Sequence, residues 1–273
     1  MGEASEKVRI VSLSESNVDD LIFVCSSKRL KDRLHQRGIE LKKRWLKEML
    51  DNYGSVAKIA YHGGKPVAQI LYFPEEAEKT KTGRREDVLV LNCVYNPSPG
   101  AQRLGIGRML LESVVKEAKQ KKTCLGNKPC KFIVAKTFNT GELTPLPEFY
   151  KKHGFIQTPR EEGNRVYLPI EGSYEPTEPV GKYEPLKEDR GKAVVFYGPV
   201  CQFGYPFAKT IESLVREAAP KMRVELIDEW EHPQESMKRR SQWLVVNAKP
   251  IYTFFMDKER FMDEVKQAAE SKA

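Results

Sequence analysis

Asn92-Cys93-Val94-Tyr95-Asn96-Pro97-Ser98-Pro99-Gly100-Ala101-Gln102-Arg103-Leu104-Gly105-Ile106-Gly107-Arg108-Met109-Leu110 is the stretch on which the fold turns. The apolar run from Val88 to Tyr95 reads as a strand, and Met109, Leu110, Val114 and Ala118 recur at helical spacing. Phe132-Ile133-Val134-Ala135 then reads as a short buried strand, which makes the whole a strand-helix-strand crossover. Gly105 and Gly107 let backbone N–H groups converge without Cβ obstruction, and the helix N-terminus adds positive partial charge. Such a loop holds a pyrophosphate mainly through main chain, with Arg103 and Arg108 supplementing the charge. Alone, the two glycines also suit a tight packing turn. A dinucleotide-binding fingerprint is disfavoured because Leu110 occupies its third glycine position, and no Gly-Lys-Ser/Thr follows to make a nucleotide P-loop.

Working outward, Val8 to Val11 reads as an opening strand, and Ser16 or Asn17 can cap a helix beginning near Val18. A second helical stretch runs from Leu41 to Leu50. Val56 to Tyr61 and Pro66 to Tyr72 flank His62-Gly63-Gly64-Lys65, a hairpin signature. Downstream, Leu146 to His153 forms a short helix that Gly154 ends with a left-handed cap, and Phe155-Ile156 and Val166-Tyr167-Leu168 follow as strands.

With this context, Gln102-x-x-Gly105-x-Gly107 between a strand and a helix resembles the signature loop of the Gcn5-related N-acetyltransferases, the GNAT superfamily. Phe149-Tyr150-Lys151-Lys152-His153-Gly154-Phe155 is similar to that family's Tyr-x-x-x-Gly-Phe segment. The resemblance covers roughly residues 8–170. It implies an acyltransferase moving an acetyl or other short acyl group from acyl-CoA to an amine, on a small molecule or a protein, by direct attack on the thioester. It further implies that Cys93, Val94 and Tyr95 pair with the pantetheine arm and that Gln102, Arg103, Leu104, Gly105, Ile106, Gly107 and Arg108 hold the pyrophosphate. Asn139 matches an approximate cofactor-contacting position, Tyr150 the proton donor, and Glu86, or its neighbour Asp87, at the start of the strand leading to the site, a base. Glu86 is equally a solvated charge at a strand start, and Cys93 a buried strand cysteine rather than a nucleophile.

Residues 171–190 hold three prolines, are acidic and show no apolar period, and so read as a linker between a domain at 1–170 and a smaller one at 191–273. The expected fold class is α/β, an α+β mixed sheet followed by a smaller α/β domain. In that second domain Lys192 to Gly198 and Arg223 to Asp228 read as strands, 207–218, 233–241 and 258–269 as helices, and Lys249 to Phe255 as a proline-then-strand segment. This pattern resembles a thioredoxin-like domain of the YoaP-like kind, for which a cis peptide bond before Pro250 is expected. Cys201-Gln202-Phe203-Gly204 stands where that fold carries Cys-x-x-Cys. Only one thiol remains, so dithiol exchange is not expected, and Cys201 is either a thiol site or a structural residue.

The bulk properties agree with an acyl-CoA enzyme without demanding one. Residues 1–170 carry 30 Lys and Arg against 20 Asp and Glu, whereas residues 191–273 carry 13 against 12. A basic first domain suits a polyanionic co-substrate; it would also suit nucleic acid, but no interleaved basic and aromatic motif is present. Five scattered cysteines fit reduced thiols, and Cys124 and Cys130 lack the spacing and the histidines of a zinc site, so no metal is expected. With no secretory start and no long apolar run, the expected location is the cytoplasm, away from the membrane.

Overall fold

The computed structural model describes residues 7–137, 145–159, 164–177 and 181–271. The chain divides into two compact units. The first comprises Met1–Lys28, Leu46–Glu78 and Gly83–Pro179, and the second Arg29–Trp45, Lys79–Thr82 and Val180–Ala273.

The first unit is built on a seven-stranded sheet. Its strands are β1 (Arg9–Ser12), β2 (Ala57–His62), β3 (Lys65–Pro74), β4 (Val88–Tyr95), β5 (Phe132–Lys136), β6 (Ile156–Gln157) and β7 (Arg165–Pro169), in the spatial order β1-β2-β3-β4-β5-β7-β6. Every neighbouring pair is antiparallel except β4 and β5, which run parallel and are joined by a crossover through α3 (Ile106–Lys119). The sheet is therefore mixed, and the chain is a mixed α/β protein. The reasons are local. Gly63 and Gly64, both with positive φ, make the two-residue turn that reverses β2 into β3. Val88 to Leu91 are all buried, in the half of β4 that pairs with β3 on one edge and β5 on the other. The remaining helices of the chain's first part are α1 (Val18–Ser26), α2 (Arg33–Tyr53) and α4 (Leu146–Lys152).

Helix α2 starts eight residues earlier than the apolar period indicates. Asp32 caps it, its Oδ1 accepting the backbone N–H of Leu34 at 2.9 Å and of His35 at 3.2 Å. Gly38, which weakens the helical signal, is explained by packing inside the second unit: a Cβ there would stand 2.0 Å from the Gln202 carbonyl oxygen.

The second unit carries β8 (Lys192–Tyr197), α5 (Gly204–Ala218), β9 (Arg223–Asp228), α6 (Pro233–Lys238), β10 (Leu244–Val246), β11 (Lys249–Pro250) and α7 (Lys258–Glu270). The sheet order is β11-β10-β8-β9, with β8 and β9 parallel and the other pairs antiparallel. Ala193, Val195, Leu244, Val246, Phe261 and Val265 lie in its core.

Three expectations are corrected here. The strand placed over Lys249 to Phe255 is only Lys249–Pro250, and its partner β10, three residues long, was not foreseen. Helix α6 stops at Lys238, because Arg240 and Ser241 turn the chain with φ of +53° and +56°. The peptide bond before Pro250 is trans: Asn247 and Ala248, at φ +48° and +60°, already reverse the chain, so Pro250 enters β11 opposite Val245 with no reversal of its own to make.

Candidate functional site

The site begins with an irregularity in β4. Leu71 of β3 pairs with Cys93, but the next rung joins Tyr72 to Leu91, so Asn92 is an extra residue on β4 and the ladder bulges there. The rungs between β4 and β5 run from Val88–Phe132 to Leu91–Ala135 and go no further. Beyond Leu91 the two parallel strands part, and β4 continues through Cys93, Val94 and Tyr95 with no further rung to β5. These three residues and Asn92 are only half-buried, in contrast to Val88 to Leu91. An edge of this kind offers N–H and C=O groups to an extended amide-bearing ligand.

The loop from Asn96 to Gly105 carries the chain from that edge to α3. Asn96 organises it: its Nδ2 donates to the Ala101 carbonyl at 2.9 Å, and its Oδ1 accepts the Ser98 N–H at 3.3 Å. Gln102 Nε2 donates to the Asn96 carbonyl at 3.4 Å, so this side chain braces the loop from within. Arg103 and Gly105 both take left-handed backbone conformations, φ +62° and +73°, and Gly105 is the residue before α3. The first helical hydrogen bond of α3 runs from the Met109 N–H to the Gly105 carbonyl at 3.0 Å. The N–H groups of Ile106, Gly107 and Arg108 thus form the open first turn, the positive end of a fourteen-residue helix. Arg103, Leu104 and Arg108 are exposed around it, and Arg108 is paired with Glu112 at 2.7 Å.

Helix α3 is held down by its buried stripe, Ile106, Leu110, Leu111, Val114 and Ala118, and by Glu117. The Glu117 carboxylate receives the buried Lys58 ammonium of β2 at 2.6 Å, and Lys58 also donates to Ser12 Oγ of β1 at 3.0 Å. Breaking that pair would leave a buried cation unmatched, which fixes the helix against the sheet.

Gly107 brings three elements together. A Cβ on it would lie 3.6 Å from the Phe149 ring of α4 and 3.8 Å from Val94 Cγ1 of β4. Val94 therefore faces α3, while Cys93 and Tyr95, by strand alternation, face the other side of the sheet with their cross-strand partners Leu71 and Gln69.

Tyr150 is completely buried, packed at ring-centroid distances of 5.4 Å from Phe149 and 4.9 Å from Phe155. Its carbonyl accepts the N–H groups of both His153 and Phe155, which, with Gly154 at φ +84°, locks the end of α4. His153 Nδ1 donates to the Phe149 carbonyl at 2.7 Å, so this ring is engaged in helix closure. The Tyr150 hydroxyl has no hydrogen-bond partner among the described residues. Burial drives its pKa far above the tyrosine range, and the neighbouring Cys93 thiol adds to the rise. Tyr150 is accordingly a protonated O–H group aimed at the parted end of β4, able to donate and not to act as a base.

The structure thus gathers Cys93, Val94, the 102–108 loop and Tyr150 around one end of β4. Glu86 is not among them. It is exposed in the turn before β4, and Cys93 lies five residues beyond the start of that strand, roughly 17 Å away along it. Asn139 lies outside the described residues. Cys201 belongs to the second unit, exposed in the turn that precedes α5. Among the described residues no group of three or more His, Cys, Asp or Glu is arranged to hold a metal ion. Asn96 and Phe149 were missed in the sequence; the Asx-turn spacing of Asn96 and Ser98 was a usable signal for the first.

Comparison with known proteins bears on this unit. No curated protein matches the chain. Among solved structures, a putative GNAT-family acetyltransferase from Desulfovibrio desulfuricans is similar at 16% identity and a TM-score of 0.43, over 60% of this chain and 99% of that one. The ribosomal-protein-S18-alanine N-acetyltransferase from Escherichia coli is similar at 15% identity and a TM-score of 0.41, over 63% of this chain and 99% of that one. A GNAT-family acetyltransferase from Brucella melitensis, solved in complex with acetyl-CoA, is similar at 15% identity and a TM-score of 0.40, over 63% of this chain and 92% of that one. Residues 54–157, the span holding the β4 bulge, the glycine loop and Tyr150, match the acetyltransferase (GNAT) domain.

Proposed function

We propose that the first unit transfers an acetyl, or another short acyl group, from acyl-CoA to an amine. The observation that carries this reading is the buried, unpartnered Tyr150 hydroxyl beside Cys93, at the end of β4 where the sheet parts. The pyrophosphate rests on the N–H groups of Ile106, Gly107 and Arg108, and the amides of the pantetheine arm pair with the edge at Cys93 to Tyr95. The thioester then lies between the bulge of β4 and Tyr150. The unprotonated amine attacks the thioester carbonyl carbon, whose oxygen takes negative charge and is met by backbone N–H around Val94. The carbon–sulfur bond breaks as the intermediate collapses, Tyr150 gives its proton to the departing thiolate, and the proton shed by the nitrogen passes to solvent. Tyr150 is reprotonated from solvent. The reading is of a cytoplasmic enzyme, and no described helix is long and apolar enough to cross a membrane.

Thermal unfolding with acetyl-CoA, propionyl-CoA and CoA tests the donor. At a hundredfold excess over Kd a bound ligand stabilises by about 2.7 kcal/mol, a rise of several degrees in melting temperature. No response to any of the three would sink the proposal. Mass spectrometry of an amine panel with the accepted donor then identifies the acceptor.

A second reading concerns the other unit, taken as a thioredoxin-like domain of the YoaP-like kind. Its sheet order, β11-β10-β8-β9, and the exposed Cys201 just before α5 favour a role as a thiol-binding adaptor. Incubation with oxidised glutathione should add one glutathione to Cys201 and none to a Cys201→Ser variant. Equal labelling of both would return Cys201 to structure.

A further inference from the structure

Tyr150 is not the only buried polar group left unmatched near this end of β4. Gln69 of β3 is 1% exposed, and its Oε1 has no hydrogen-bond partner among the described residues. Its Nε2 donates to Cys25 Sγ of α1 at 2.9 Å, and the carbonyl oxygen is the unmatched atom. In register Gln69 is the cross-strand partner of Tyr95, and therefore shares a face of the sheet with Tyr95 and Cys93. That face is opposite the one on which Val94 meets Gly107 and the first turn of α3.

Two unmatched groups of opposite kind thus flank one strand end: an O–H donor near Cys93 and a C=O acceptor across from Tyr95. Buried polar atoms are mostly matched; of the few exceptions among the described residues, these two share one strand end, where a further group would match both. Acyl transfer to an amine needs this pair. A sulfur must receive a proton and a nitrogen must present an N–H while its lone pair attacks. The donor's pyrophosphate end belongs to the α3 face, so the amine approaches from the face that Gln69 shares. Cys25, which holds the amide, and Tyr95, its cross-strand partner, are themselves half-buried, which places the amide one side chain beneath the surface.

We infer that Gln69 is the acceptor-binding residue of the site, its Oε1 taking a hydrogen bond from the N–H of the attacking amine. The inference rests on the acyltransferase reading and deepens it, because it assigns the amine a fixed partner and an approach over the Cys25 side of the sheet. A merely structural glutamine would behave differently. Replacing a buried amide that has one weak N–H···S bond and an unmatched oxygen by an apolar group of similar shape costs little stability, whereas losing a substrate contact appears in the acceptor's kinetics.

Hydroxylamine is the probe acceptor, being small and already unprotonated at pH 8. Acetyl-CoA affinity is measured by calorimetry and transfer by hydroxamate formation, for the full chain and for Gln69→Met. The expected result is a tenfold or greater rise in KM for hydroxylamine, with acetyl-CoA affinity within twofold of the starting protein and no fall in melting temperature. An unchanged KM overturns the inference. So does a parallel loss of acetyl-CoA affinity, or a starting protein that binds acetyl-CoA yet forms no hydroxamate above the solution rate. Failure to bind acetyl-CoA at all would instead overturn the acyltransferase reading, and this inference with it. If Gln69→Met does not fold, Cys25→Ala replaces it: that change keeps the oxygen and releases the amide, and should raise KM for hydroxylamine severalfold while kcat holds; an unchanged KM overturns the inference equally.

Discussion

Gly38 and Gln202 approach so closely that any side chain at position 38 would enter the Gln202 carbonyl, 2.0 Å from a Cβ. The neighbour is backbone and cannot swing aside, so the helical gain of about 1 kcal/mol from alanine over glycine loses to overpacking of about 1–3 kcal/mol. Gly38→Ala should lower the denaturation midpoint. A stabilised variant, measured by urea unfolding, would show that the two chain segments separate at no cost.

The Tyr150 hydroxyl makes a sharper case, because stability and activity should move in opposite directions. Tyr150→Phe removes an unmatched buried O–H, which is neutral or stabilising. It also removes the proton donor, a loss of roughly 100-fold in kcat. Acetyl-CoA affinity should stay within twofold. A variant as active as the parent would reduce Tyr150 to a packing residue.

Two glycines of the loop should separate fold from binding. Gly107→Ala places a methyl at ordinary contact distance from Phe149 and Val94, so the melting temperature should hold while acetyl-CoA binding weakens, the methyl occupying the approach to the first turn of α3. Gly105→Ala meets no neighbour but is strained at φ +73°, a cost of about 1–2 kcal/mol. Calorimetry and thermal unfolding of both variants decide the matter; unchanged affinity in Gly107→Ala would move the phosphate site elsewhere.

His35 sets a pH dependence. It is buried, and its ring lies 4.6 Å from that of Phe203. Burial holds its pKa below the ordinary 6.5, Arg29 pushes it the same way, and Asp32 opposes. Above pH 6.5 the ring is neutral in both folded and unfolded chains and pH changes nothing through it. Below 6.5 the unfolded chain takes up the proton first, so stability falls as the pH is lowered, by at most about 1.4 kcal/mol per pH unit. In urea unfolding at pH 7 and pH 5, His35→Phe should lose less between the two than the parent. Identical slopes would show that His35 titrates alike in both states.

Much of the first unit was readable because its signals are local. A strand, a glycine pair and a helix follow one another between Val88 and Lys119, and Tyr150 is marked by Gly154 and Phe155 at fixed spacing. What escaped reading depends on long-range contact. Gln69 sits in an apolar strand run, where a polar residue suggests a solvent-facing position, and only register with Tyr95 reveals its burial. The first half of α2 was hidden by Gly38, whose purpose lies 164 positions away at Gln202. Strand β10 is three residues long and gains its identity from pairing with β8. Glu86 was placed near the site because it adjoins the right strand; strand length puts it at the wrong end.

The ladder between β4 and β5 ends at Leu91 and Ala135, and this has a consequence for the protein in a test tube. An opening between two parting parallel strands is a template that can accept an extended chain, another polypeptide included. Whatever fills the gap in the cell also shields it. Stored without such an occupant, the protein carries a sticky seam, and its shelf life should depend on what is dissolved beside it.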